Sequence, residues 1–236
     1  MSKRKVISKM ELSTLKPFHG YQTSIIPLSS GYYFYLASWD SNPTAYSQFS
    51  NIWLIKPEDK RILFSDPPAT SDIVTIYHDF HEIYAASIGI EWDTENHLHV
   101  ECKSFDSEFD LDVRMDLVET LGSRLLVAIG ASPPTPFMTS QAMVAFSNFL
   151  VNTFLARSGS TVAGRTETDQ PFYHGVTERL LRVVGGSTSL NGVDLGSFSS
   201  PTWPIEFGDA VPFFNPIIKL GTMYIPFRQD MVSAAD

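Results

Sequence analysis

The chain has 236 residues, a net charge of −9 at pH 7, 43% hydrophobic residues and only 18% charged ones. That length builds a sizeable core in one large domain or two small ones. The acidic balance, whose only basic run is residues 2–5, excludes nucleic acid and anionic membrane surfaces as partners, and no run of 18 apolar residues is present to span a membrane.

One cysteine, Cys102, forms no internal disulfide, and no zinc spacing accompanies it. With no apolar segment after the opening basic residues, the expected location is the cytoplasm. Aromatic residues at 13% with so few charges predict a β-rich fold.

In chain order, residues 1–20 read as an irregular arm. Residues 24–28 and 32–39 read as strands around the Ser29-Ser30-Gly31 turn. Tyr32, Phe34 and Leu36 share one strand face, and Tyr33 and Tyr35 the other. Aromatics on both faces imply a strand buried on both sides or lining a cavity. Residues 52–55 and 61–64 form a hairpin across the turn at 56–60, and Asp66-Pro67-Pro68 breaks the chain. Residues 72–92 read as two strands around a bend. His78 and His81 would then face opposite ways, and with no third ligand at a familiar spacing no metal site is expected. Residues 97–104 and 109–117 alternate polar and apolar residues, which predicts a long hairpin with one wet and one dry face. Cys102 is on the dry face, and His97 and His99 are on the wet one.

Pro133, Pro134 and Pro136 mark the best internal boundary in one compact unit, with halves 1–130 and 139–228 joined by residues 131–138. A helix follows over 140–157, with Thr139 or Ser140 as N-cap and Gly159 beyond its end. Apolar residues, Phe146, Phe149 and Phe154 among them, run almost all the way round it, as in a buried helix. Gln141, Asn148 and Asn152 interrupt them. At about 100° per residue they fall within roughly 40° of one another, either as a solvent strip or as a polar cavity lining. Read as a strand, residues 161–169 place Arg165, Glu167 and Asp169 on one face. A cation between two carboxylates can hold one ionised and let the other act as acid or base. His174, beside Tyr173, is a second acid/base candidate.

Residues 176–184 read as a strand that turns at Gly185-Gly186 and pairs back over 187–190. Asn191-Gly192 is the strongest hairpin signal. Residues 200–216 hold Trp203, Phe207, Phe213 and Phe214 among prolines, as in a loop pressed over an apolar opening. Residues 217–227 form a closing strand. No GxSxG, GxGxxG or phosphate-loop motif is present. An enzyme built on this chain is therefore expected to work without a cofactor.

The segment 89–117, GIEWDTENHLHVECKSFDSEFDLDVRMDL, resembles the strand pattern of calycin-like AttH proteins, the group that includes hydroxyneurosporene synthase and some natural-product cyclases. The resemblance implies a β-barrel or sandwich around a cavity for an apolar ligand.

The expected fold is therefore mainly β, an antiparallel barrel or sandwich with a buried helix around 140–157. The expected function is a cofactor-independent cyclase, isomerase or hydratase acting on a hydrophobic, terpenoid- or polyketide-like small molecule. A non-catalytic carrier of such a molecule is the alternative, and a homodimer burying aromatic patches is a third reading. Glu167, Asp169, His174 and Arg165 are the catalytic candidates. Asn148, Asn152, Tyr173, Trp203, Phe207 and Phe213 are the ligand-binding candidates.

Overall fold

The computed structural model describes residues 15–131, 145–146, 149–150, 153, 163–168, 172–208 and 210–227. Twelve strands form one sheet: β1 (Leu15–Thr23), β2 (Ile26–Pro27), β3 (Tyr33–Ser41), β4 (Phe49–Lys56), β5 (Lys60–Asp66), β6 (Glu82–Thr94), β7 (His97–Ser104), β8 (Asp110–Val118), β9 (Ala163–Arg165), β10 (Phe172–Leu190), β11 (Val193–Asp194) and β12 (Ile217–Pro226). Two α-helices, α1 (Ser71–Thr75) and α2 (Leu121–Ala131), are defined among the described residues. No described helix is long and apolar enough to cross a membrane.

The sheet closes on itself. Its order runs β1-β12-β10-β8-β7-β6-β5-β4-β3, and β3 pairs with β1 again. Nine strands therefore make the ring among the described residues. A ring of odd number cannot be antiparallel throughout, and the one parallel contact is β5 with β6. A parallel pair needs a crossover connection, and residues 67–81, carrying α1, supply it over the outside of the barrel. At the closing seam Gly20 faces Gly221. Both have positive φ, and a Cβ on either would sit about 2 Å from a carbonyl oxygen, Ser38 O or Val176 O. Only glycine lets the three backbones approach this closely.

Alternation sets what lies inside. Phe34 and Leu36 of β3, Ile52 and Leu54 of β4, Phe64 of β5, Val100 and Cys102 of β7, Val113 and Met115 of β8, Leu181 of β10 and Ile218 of β12 fill the interior. On β7 and β8 the intervening residues are wet, as their alternation predicts. β4 and β5 are different, being buried on both faces. Their outer face is covered by Ile73, Val74 and Tyr77 from the crossover and by Trp203, Ile205 and Phe207 from the long aromatic loop.

Several expectations need correction. Residues 15–23 are a strand, not part of an arm, because their backbone completes the ring between β3 and β12. The first of the two strands expected in residues 72–92 is the short helix α1. Gly185-Gly186 does not turn the chain: β10 runs straight through it. Its first half pairs with β12 and its second with β8, with bulges at Thr177/Arg179 and Val183/Gly185 that re-aim it between the two walls. The Asn191-Gly192 hairpin is present, with positive φ at both residues. The helix expected over 140–157 and the proline-rich boundary lie mostly outside the described residues. Where it is described, Phe146 is 45% and Phe149 64% exposed, so this part of the helix is not buried all round.

Candidate functional site

β9 stops at Arg165, and Glu167 lies in the turn after it. Arg165 and Glu167 therefore do not share a strand face. The turn folds onto the crossover, where Thr168 Oγ1 donates to Ile76 O at 2.8 Å. This brings the Glu167 carboxylate to Arg61 Nη1, which donates to it, and within 3.4 Å of His78 Nδ1. The Asp79 N–H also donates to Glu167. Arg61 in turn holds Asp59 through Nε at 2.7 Å and Nη2 at 2.9 Å, and its guanidinium lies 4.2 Å from the Phe207 ring centre. Burial pushes the Glu167 carboxyl up, but His78 and Arg61 outweigh it and hold it below the usual range. Burial lowers His78, and Glu167 only partly restores it. Glu167 is thus a fixed carboxylate in an ion-pair cluster that anchors the turn to β5, with little freedom to take up a proton near neutral pH.

The other catalytic candidates are not gathered here. Asp169, Asn148 and Asn152 lie outside the described residues. Tyr173 and His174 belong to β10, opposite Gly164 and Ala163 of β9. Trp203 and Phe207 do pack together over the outer face of β3 and β4, where Trp203 stands edge-on to Tyr33 at 5.0 Å. Phe213 packs instead on Leu180 and Ile217, beside α2.

Next to this cluster the outer face of the barrel carries a polar row that the sequence reading missed. The register runs from Lys219 on β12 to Gln22 on β1, Ala37 on β3, Asn51 on β4 and Ser65 on β5. Parity puts all five on the outer side, because Ile218, Leu36, Ile52 and Phe64 point inward. Asn51, Ser65 and the neighbouring Trp53 are 3%, 0% and 6% exposed. Asn51 Oδ1, Trp53 Nε1 and Ser65 Oγ have no hydrogen-bond partner among the described residues. The Gln22 Oε1 accepts from the Tyr35 hydroxyl at 3.2 Å, and Tyr35 stacks on Trp53, which in turn lies 4.6 Å from His78. Lys219 makes no ion pair or hydrogen bond among the described residues. Burial alone acts on it and lowers its ammonium to about 8. The signal in the sequence was available: Lys219 is the sole charge in residues 216–227.

A second opening lies at one end of the barrel. Tyr21, Trp92, Arg179, Leu181, Ile218 and Leu220 line a cavity of about 160 Å³. Burial raises the Tyr21 hydroxyl above its ordinary value, and Arg179 reaches out to Glu95 at 3.2 Å. On the wet face of β7 and β8, His99, Glu101 and Asp112 bring ligand atoms within 4.8 Å of one another. His99 Nε2 already pairs with Asp112 at 2.7 Å there, as cross-strand partners on a solvated face do. No family model, curated protein or solved structure matches the chain.

Proposed function

We propose that the protein is a cofactor-independent enzyme of the isomerase or lyase kind. Its substrate is a small, largely apolar molecule with a few polar atoms, seated on the covered outer face of the barrel between Lys219 and Asn51. One observation carries this reading: Asn51 Oδ1, Trp53 Nε1 and Ser65 Oγ are buried together without partners. Each buried polar atom left unsatisfied costs about 1–3 kcal/mol, and native proteins seldom leave three on one face. A ligand that accepts from the indole and donates to the amide oxygen removes that cost. Aromatic walls from Tyr35 and Trp53 supply apolar contact, as small-molecule sites do.

A carrier protein is the second reading, and the cavity at Tyr21 and Trp92 favours it. A dry cavity of about 150 Å³ holds a benzene-sized ligand, so a terpenoid would not fit there whole.

Native mass spectrometry of protein purified from its source tests both readings. The enzyme reading expects a retained small molecule that is lost in Asn51→Ala and kept when Leu220→Trp fills the barrel-end cavity. The reverse pattern selects the carrier. A chain that retains nothing, and whose melting temperature no small ketone or hydroxylated ring shifts, ends both.

A further inference from the structure

We propose that the Trp92 end of the barrel binds a small ring carboxylate, a benzoate-sized acid whose ring fills the cavity beside Tyr21 and Trp92 and whose carboxylate meets Arg179. This rests on the carrier reading above and names its ligand.

The register puts the lining of that cavity on the inner face. Leu181 on β10 faces Ile218 on β12, and both belong to the interior cluster at 2% exposure. Two residues along each strand Arg179 faces Leu220, and Leu220 in turn faces Tyr21 on β1. Trp92 continues the inward run of Ile88 and Ile90 on β6. Strands β1 and β6 stand on opposite sides of the ring, yet Tyr21 and Trp92 meet edge-on with ring centres 6.0 Å apart. The two rings therefore span the barrel, over a floor of Leu181 and Ile218. The cavity they bound with Leu220 and Arg179 is about 160 Å³, close to the volume of about 150 Å³ that holds benzene. One planar ring fits there and a fused pair does not.

Arg179 is the charged member of that lining. Its Nη2 donates to Glu95 at 3.2 Å, on the turn between β6 and β7. Glu95 is 84% exposed, so water competes for it and the pair is weak. An arginine fork takes a carboxylate best through two parallel N–H bonds, and the Glu95 contact runs through Nη2 alone. A carboxylate arriving from the cavity side meets the same fork with its ring already withdrawn from water, an advantage that Glu95 lacks. Burial keeps the Tyr21 hydroxyl protonated, so that wall presents no negative charge to an anion. Asp40 and Glu178 stand nearby, but His19 holds them at 2.7 and 3.5 Å, and neither lines the cavity.

The test is isothermal titration of the intact chain at pH 7 and low salt with benzoate, benzyl alcohol and naphthoate. The expected result is that benzoate binds at least about tenfold more tightly than the neutral benzyl alcohol, and that naphthoate does not bind. Arg179→Gln removes that advantage, and Leu220→Trp, which fills the cavity, abolishes binding of both. Glu95→Gln, on an exposed turn, removes the competing carboxylate and tightens benzoate; it decides alone if Arg179→Gln does not fold. Benzyl alcohol bound as tightly as benzoate, and lost in Leu220→Trp, overturns the carboxylate and leaves the carrier reading standing. Benzoate binding that survives Leu220→Trp, that Glu95→Gln leaves unchanged, or that naphthoate matches overturns the proposal. Binding of neither benzoate nor benzyl alcohol overturns the proposal and the carrier reading together.

Discussion

Replacing Glu167 by Gln probes the clasp between the late turn and the barrel. The side chain is 15% exposed, so its pairing is only weakly screened. Removing one partner of a buried ion pair costs about 3–5 kcal/mol when the other charge is orphaned. Arg61 is not orphaned here, because Asp59 still accepts from it at 2.7 and 2.9 Å. The loss is closer to one charge-assisted hydrogen bond, about 2 kcal/mol at pH 7.5. Its pH dependence has two parts. The folded Glu167 titrates below its ordinary value, so its contribution is complete above the unfolded pKa near 4.5 and fades as pH falls through the folded one. The folded His78 is also depressed, so the unfolded chain binds a proton first and the fold weakens as pH falls below about 6.5. That loss is shared by the variant for as long as His78 stays neutral in both folded chains, so the gap between wild type and variant should hold from pH 7.5 downward and narrow once pH falls below about 4.5, where the unfolded Glu167 takes up its proton. Urea titrations followed by tryptophan fluorescence measure it, with Trp53 beside His78 as reporter. A gap under about 0.5 kcal/mol at pH 7.5, or one that does not narrow between about pH 5 and pH 3, refutes the clasp.

Gly221→Ala places a Cβ against Val176 O at the seam and should destabilise the chain by about 1–3 kcal/mol or more; an unchanged denaturation midpoint would mean that the ring does not close there. Cys102 is fully buried and its thiol is pushed up to about 12, so iodoacetamide should label it only in denaturant. Phe207→Ala, which removes a buried ring from Trp53 and Arg61, should cost about 3–5 kcal/mol. Phe149→Ala, at a ring 64% exposed, should stay within about 0.5 kcal/mol; thermal melts that rank these two the other way would invert the burial assigned to them.

What the sequence made legible was local. The hairpins at 52–64, 97–117 and 189–194 follow from a two-residue period and a few turn residues, both written in adjacent positions. The double burial of residues 33–37 was readable from aromatics on both faces, although nothing local said what covers the outer one. Gly185-Gly186 carries the composition of a turn, yet tertiary pairing with β8 holds the chain extended through it. Residues 71–75 are rich in β-branched and small residues and still form a helix, in which Ile73 and Val74 are buried in two adjoining clusters over the sheet. Glu167 was identified as chemically prominent, but its partners, Arg61 and His78, lie about 90 or more positions away in the chain and have no local signature. Lys219 was passed over within the closing strand and Asn51 fell just before the strand read over 52–55, since only the register across β12, β1, β3 and β4 places them in one row.

The topology explains why the enzyme reading places its site outside this barrel and not within it. A ring of about eight strands is just wide enough for side chains to fill, and here Phe34, Phe64, Leu54 and Met115 occupy it with almost no exposure. A cavity of about 160 Å³ lies at the end near Trp92. The odd number of ring strands requires one parallel contact, and the parallel contact requires a crossover. That crossover is laid over β3, β4 and β5, turning an outer face that would otherwise be wetted into a second buried layer. Residues on that face, Asn51, Ser65 and Trp53 among them, are thereby withdrawn from water while keeping polar atoms that need partners. On β7 and β8, which no crossover covers, the corresponding outer positions are plain charged pairs such as His99 with Asp112. The same topological step that closes the barrel therefore buries Asn51, Ser65 and Trp53 on one outer face, with polar atoms that have no partner among the described residues.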